Sequence, residues 1–166
     1  MMIIDKENCC GCSACAAICP KNCIELISDE EGFAYPKCNL DSCIHCHLCE
    51  KVCPVSNLIR ETETRQYGYA VQNTDYNVLI ESTSGGAFTA IAEQIINMGG
   101  VVYGASLDEN LMVRHIGVNC IDELAMFRNS KYSQSYIDPK MFRKIKGELN
   151  SNRWVLFSGT APRPLF

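Results

Sequence analysis

Two cysteine strings constrain this chain more than anything else in it. The first runs Cys9-Cys10-Gly11-Cys12-Ser13-Ala14-Cys15-Ala16-Ala17-Ile18-Cys19-Pro20. The second runs Cys43-Ile44-His45-Cys46-His47-Leu48-Cys49-Glu50-Lys51-Val52-Cys53-Pro54. Read from Cys9 and from Cys43, both spell C-x2-C-x2-C-x3-C-P, so the chain carries an internal repeat. Of 12 cysteines in 166 residues, only Cys120 lies outside the stretch from Cys9 to Cys53.

A head this small has a poor ratio of buried to exposed surface and needs a staple. The N-terminus lacks a basic region followed by a long apolar stretch, so it does not read as a secretory signal. A cysteine-rich chain without such a signal is expected in the reducing cytoplasm, where thiols bind metal more often than they pair. Zinc ribbons use two C-x2-C pairs, not two quadruplets ending in proline. Three cysteines two residues apart can wrap one corner of an iron–sulfur cubane.

The spacing is that of two-cluster bacterial ferredoxins, in which the fourth cysteine of each run serves the other cluster. The pattern therefore implies two 4Fe-4S clusters. One takes Cys9, Cys12, Cys15 and Cys53; the other takes Cys19, Cys43, Cys46 and Cys49. The fourth cysteine is expected to start a short helix pointing toward the other cluster. Cys10, Cys23, Cys38 and Cys120 are left over and read as small buried hydrophobes. His45 and His47 are expected to pack against the second cluster or bond its sulfurs, with Ser13 and Ala14 in the equivalent places of the first loop. The clusters then differ in surroundings and in potential.

Between the strings, Ile24–Ile27, Asp29–Gly32 and Phe33–Pro36 read as strand, turn and strand. Residues 1–57 form the expected ferredoxin domain, 58–66 a polar linker, and 67–166 a second domain. In that domain Tyr67–Val71 alternates like a strand, and Asn73–Asn77 reads as a turn. Ala87–Met98 carries one helical face of Phe88, Ile91, Ala92, Ile95 and Met98. Ser and Gly at 82–86 supply cap chemistry, and a glycine-rich helix start also suits an anion. Val101–Ala105 and Met112–Val118 read as a strand pair, Asp122–Phe127 as a short helix, and Asp138-Pro139 as the start of a helix to about Leu149. Trp154–Phe157 is continuously apolar and reads as a central strand buried on both faces. Ser158-Gly159-Thr160 then stands where α/β sheets often bind ligands. Pro162 and Pro164 forbid a covering helix, so the second domain is expected to be incomplete. The expected class is α+β, a two-cluster ferredoxin-like head followed by a partial α/β domain.

Together these pieces resemble the beta subunit family of coenzyme F-420 hydrogenases and dehydrogenases. The matching segments are the two strings, Gly32–Pro36, Ser84–Ala90, Gly100–Ala105, Ser130–Tyr132 and Val155–Thr160. The chain departs from the family with Ala161-Pro162-Arg163 where Pro-Cys-Gln is usual, and with His47 where glycine is common. The resemblance implies an iron–sulfur oxidoreductase with a flavin, FAD or FMN, and coenzyme F-420 or another acceptor as substrate. It implies flavin contacts at Ser84, Gly85, Gly86, Lys131, Gly159 and Thr160; each also reads as a cap, a surface charge or a tight turn. A second reading is a non-enzymatic electron carrier that binds no flavin.

The net charge is −4 and no basic stripe exists, so nucleic acid is not an expected partner. No run of apolar residues reaches the length of a membrane span. Two oxidised cubanes with their thiolates would carry the charge to about −8. A redox partner with a basic docking face is therefore expected.

Overall fold

A computed structural model describes residues 5–57 and 67–159. The expected linker at 58–66 and the segment from Thr160 onward lie outside the described residues. The chain is α+β and divides into two compact units. The first holds residues 5–57 with 137–143; the second holds 67–136 with 144–159.

The first unit repeats its backbone as it repeats its sequence. A 3-10 turn, Lys6–Asn8, precedes Cys9, and another, Leu40–Ser42, precedes Cys43. Two five-residue helices follow, α1 (Ala14–Ile18) and α2 (Leu48–Val52), and they pack together. Both begin after a left-handed residue, Ser13 at φ 60° and His47 at φ 58°. The register therefore pairs His47 with Ser13 and His45 with Gly11, correcting the expected match to Ser13 and Ala14. The fourth cysteines correct a second expectation. Cys19 and Cys53 end their helices; they do not start them. Each turns extended there, because Pro20 and Pro54 disfavour a helical residue before them.

Strands β1 (Ile24–Ser28) and β2 (Ala34–Cys38) form the expected hairpin, with Ile24 opposite Cys38 and Leu26 opposite Pro36. Pro36 is tolerated because a two-stranded ribbon leaves one side of each strand unpaired. Asp29 closes the turn, accepting from the backbone N–H of Glu31 at 3.0 Å and of Phe33 at 2.9 Å. The unit's buried cluster is Ala16, Cys19, Cys23 and Ile24. So little apolar volume leaves the fold dependent on what its thiols bind.

The second unit begins differently from expectation. Residues 67–71 join neither sheet among the described residues, and Tyr69 is 83% exposed. Asn73 and Asp75 act as successive side-chain caps that start helix α3 (Tyr76–Ile80), where a plain turn was expected. Helix α4 (Ala87–Asn97) matches its apolar pattern. Gly86 opens it at φ 70° with no side-chain cap bond, and Gly99 closes it at φ 75°. Strands β3 (Val101–Leu107) and β4 (Val113–Val118) pair antiparallel, while β5 (Val155–Phe157) pairs parallel with β3.

The sheet order is β4-β3-β5, so β3 is central and β5 lies at an edge among the described residues. The apolar run at 154–157 is thus not a central strand; Trp154 is 58% exposed. The core gathers Ala92, Val102, Val118, Leu124 and Phe127, with Phe88, Ile95 and Leu156 packed against it. A 3-10 helix, Ile121–Phe127, supplies Leu124 and Phe127 to that core. Helix α5 (Pro139–Asn150) starts as expected, with the Asp138 carboxylate accepting from the Lys140 N–H at 2.8 Å.

Candidate metal centre

Two cavities open in the first unit, and the strings line both. The first is walled by Cys9, Cys12, Cys15 and Cys53, with Ser13, Ile24 and Pro36. The second is walled by Cys19, Cys43, Cys46 and Cys49, with Cys23 and His47. Cys49 and Ile24 border both, so a single layer of side chains separates the cavities. Cys53, from the end of the second string, thus lines the first string's cavity with Cys49 and Cys10, and Cys19, from the end of the first, lines the second string's cavity with Cys23.

The loops explain this placement. Gly11 (φ 64°) and His45 (φ 51°) turn left-handed inside their loops. That turn aims the Gly11 N–H at Cys9 Sγ and the His45 N–H at Cys43 Sγ, both at 3.4 Å. Backbone donors directed at sulfur favour the thiolate over the thiol. The turn that follows Cys19 brings more of them. Burial works to raise the Cys19 thiol, but N–H groups of Cys23, Lys21 and Asn22 and the Cys23 side chain outweigh it and hold it below its ordinary range.

Elsewhere burial dominates. It pushes Cys12 up to about 12 and Cys15 up to about 11, and raises Cys9 and Cys49. Thiols so raised sit protonated until a metal displaces the protons.

The leftover cysteines do not share one environment. Cys23 is buried, as expected, yet its Sγ stands 3.3 Å from Cys19 Sγ and 3.8 Å from Cys38 Sγ. The contact with Cys19 is the first cause, ahead of burial, that pushes Cys23 up to about 12. The sulfurs of Cys23, Cys38 and Cys43 all lie within 4.8 Å of one another. Cys10 and Cys120 are exposed, against expectation, although Cys10 borders the first cavity. His47 borders the second cavity. Its Nδ1 pairs with Glu50 Oε2 at 3.0 Å, and the His45 backbone N–H approaches Cys43 Sγ.

The residues fit two iron–sulfur clusters. Soft sulfur donors crowd both cavities: Cys9, Cys10, Cys12, Cys15, Cys49 and Cys53 line the first, and Cys19, Cys23, Cys43, Cys46 and Cys49 the second. The Ser13 hydroxyl, in a residue 2% exposed on the first cavity's wall, has no hydrogen-bond partner among the described residues. A buried hydroxyl without an acceptor is costly, and cluster sulfur is an acceptor it could reach. The sequence reading missed this group. The repeat register, which sets Ser13 against His47, would have pointed to it.

The residues named for flavin fall in two groups. Ser84, Gly85 and Gly86 lead into α4, and Lys131 follows the 3-10 helix; Thr83 Oγ1 reaches Asn129 Oδ1 at 3.4 Å, so these loops neighbour each other. Gly85, Gly86 and Lys131 have structural work. A Cβ on Gly85 would stand 2.2 Å from the Val71 carbonyl oxygen, and one on Gly86 3.1 Å from Asn73. Lys131 Nζ donates to the carbonyls of Met126 (3.1 Å) and Arg128 (2.6 Å), and burial holds its amine below the usual range. Gly159 lies beside Phe157 and His115. The His115 ring stacks on Phe157 and contacts Ser135 Oγ and the Ser158 carbonyl, at 2.7 and 2.9 Å. Thr160 lies outside the described residues.

A family model described as a 4Fe-4S dicluster domain matches residues 8–57. No curated protein matches the chain. The N-terminal unit is a ferredoxin-like iron–sulfur domain, and its class of chemistry is iron–sulfur electron transfer. No helix among the described residues is long and apolar enough to cross a membrane.

Proposed function

We propose that this chain is an iron–sulfur oxidoreductase subunit of the coenzyme F-420 hydrogenase/dehydrogenase beta type. It passes electrons between two 4Fe-4S clusters and a flavin or a redox partner protein, in the cytoplasm. Cys9, Cys12, Cys15 and Cys53 hold one cluster; Cys19, Cys43, Cys46 and Cys49 hold the other. The observation that carries the reading is the crossed lining of the cavities, with Cys53 beside the first string's thiols and Cys19 beside the second's.

When bound, the clusters supply one-electron transfer. The protein's own residues fix how that occurs. Ile24 and Cys49 border both cavities, which keeps the two centres one side chain apart. Leu40, Ile44 and Leu48 leave apolar surface beside the second string. The formal charge of −4, deepened by the clusters, favours a partner with a basic docking face.

A carrier that binds no flavin is the second reading. Lys131 and Gly85 favour it, since both already serve the packing of their own unit. Anaerobic purification followed by iron, sulfide and flavin assays separates the two. About eight irons and eight sulfides per chain support both. Flavin at about one per chain selects the oxidoreductase, and none selects the carrier. Zinc in place of iron overturns both.

A further inference from the structure

Two leftover thiols, Cys23 and Cys38, stand against ligand sulfurs of the second site, where the first site has only the exposed Cys10 against Cys12. We infer that Cys23 and Cys38 are thiol donors to the ligand sulfurs of Cys19 and Cys43, and that they set the second cluster's potential above the value its other surroundings would give. This deepens the proposed function and rests on its assignment of ligands.

The direction of the hydrogen bond follows from elimination. Cys19 Sγ and Cys23 Sγ stand 3.3 Å apart, and either could donate in a metal-free chain. A ligating sulfur is a thiolate and has no proton to give. The shared proton then belongs to Cys23. The same logic applies to Cys38, which stands 3.8 Å from Cys23 and within 4.8 Å of Cys43. The hairpin builds this arrangement. Ile24 pairs with Cys38, and the Asn39 N–H donates to the Cys23 carbonyl at 2.8 Å, which brings the strand ends together. Thiolates on different corners of one cubane stand farther apart than this trio. Cys23 and Cys38 therefore flank the ligands and do not add corners.

The repeat provides an internal control. Cys23 lies four residues past Cys19, and Asn57 lies four past Cys53. Asn57 turns its side chain to carbonyls, donating to Glu50 at 2.6 Å and Cys53 at 3.0 Å. It leaves the Cys53 sulfur alone in that respect. Cys10, the leftover thiol of the first string, reaches the Cys12 thiol but is exposed, where water competes for it. Cys23 is 7% exposed, so its contact acts in a low dielectric. A donor to a ligand sulfur stabilises the more negative, reduced state, and so raises the potential.

The test is a redox titration of the anaerobically purified full chain, followed by electron paramagnetic resonance. Cys46→Ser, which alters a ligand of the second site only, assigns the two signals. In Cys23→Ala we expect about eight irons to remain and the second site alone to shift negative. At fixed poise its reduced-to-oxidised ratio should fall about tenfold, equivalent to about 59 mV for one electron. Cys23→Ser keeps a donor and should restore the wild-type value. Cys38→Ala should shift the same site in the same direction by less. If Cys23→Ala does not load, Cys23→Val fills the space without a donor and is read by the same criteria. The inference is overturned if neither site shifts, if both shift alike, if Ser behaves as Ala does, or if half the iron is lost in both Ala and Ser variants. A wild-type chain without iron overturns the proposed function and this inference with it; a loaded chain with an unmoved second site overturns this inference alone.

Discussion

Ser13 and His47 hold the same left-handed backbone, φ 60° and φ 58°, at the same step of the two strings, yet one residue is buried and the other exposed. Ser13 is buried on the wall of the first cavity; His47 borders the second, stays exposed and pairs with Glu50. An L-residue with a Cβ is strained in this conformation and glycine is not. His47 gains only an exposed contact with Glu50 in return, and such contacts stabilise little. His47→Gly should therefore stabilise the loaded protein by about 0.5–1 kcal/mol, net of glycine's greater unfolded-state entropy. Anaerobic chemical denaturation measures this, and a loss of stability would show that the histidine contact outweighs the strain.

The buried partner behaves differently. The Ser13 hydroxyl finds no acceptor among the described residues and lies on the wall of the first cavity. If cluster sulfur is its acceptor, Ser13→Ala shifts the first site's potential negative and leaves iron content unchanged. If it is only an unsatisfied group, the same variant gains about 1 kcal/mol of stability and leaves the potential where it was. One titration and one denaturation curve decide between them.

Gly85 separates packing from ligand binding in the second unit. Its missing Cβ makes room for a backbone atom, the Val71 carbonyl oxygen, which cannot swing aside as a side-chain end can. Gly85→Ala should cost about 1–3 kcal/mol, the usual range for an overpacked site. Thermal unfolding should show the same loss with and without added flavin. A loss seen only with flavin would return Gly85 to the cofactor contacts.

Asp108 gives the second unit a pH signature. The Arg114 side chain and the N–H groups of Met112 and Asn110 hold its carboxyl below the usual carboxylate range. A carboxyl lowered on folding contributes stability that is present above its unfolded value, about 3.9, and is lost as pH falls through the folded value. The β3–β4 turn should therefore stay intact at pH 5 and loosen only at pH values below that of an ordinary carboxylate. Arg114→Ala should move the Asp108 titration, followed by carbon NMR, back toward the ordinary midpoint.

Sequence reading succeeded where the determinant is local. Cysteine spacing is fixed by what one short loop can wrap, so both strings were legible. The Asp29–Gly32 hairpin and the Phe88-Ala92-Ile95 face are equally local, the first a turn and the second a helical period. It failed where the answer depends on a distant neighbour. Tyr67–Val71 has the alternation of a strand, but alternation does not supply a ladder, and the segment instead meets Gly85 through its carbonyl. The run at 154–157 is apolar enough for a central strand, but β3 takes that place because it pairs on both sides. The Cys23 and Cys38 contacts were equally invisible, since the closed hairpin alone brings residues 15 apart to 3.8 Å.

Cys53 tests the crossed ligation most directly. It ends α2, one proline before the chain turns away, and lines the first cavity with Cys9, Cys12 and Cys15. Its sequence neighbours of the same string, Cys43 and Cys46, line the second. Cys53→Ala should therefore damage the site of the first string and leave that of Cys43, Cys46 and Cys49 with its signal. Cys19→Ala should do the reverse. Iron analysis with paramagnetic resonance reads both, about four irons remaining in each variant, with opposite signals surviving. Loss of the second-string signal alone in Cys53→Ala would mean that each string holds its own cluster. The cavity lining argues against that outcome, because Cys53 would have to leave the wall it shares with Cys9.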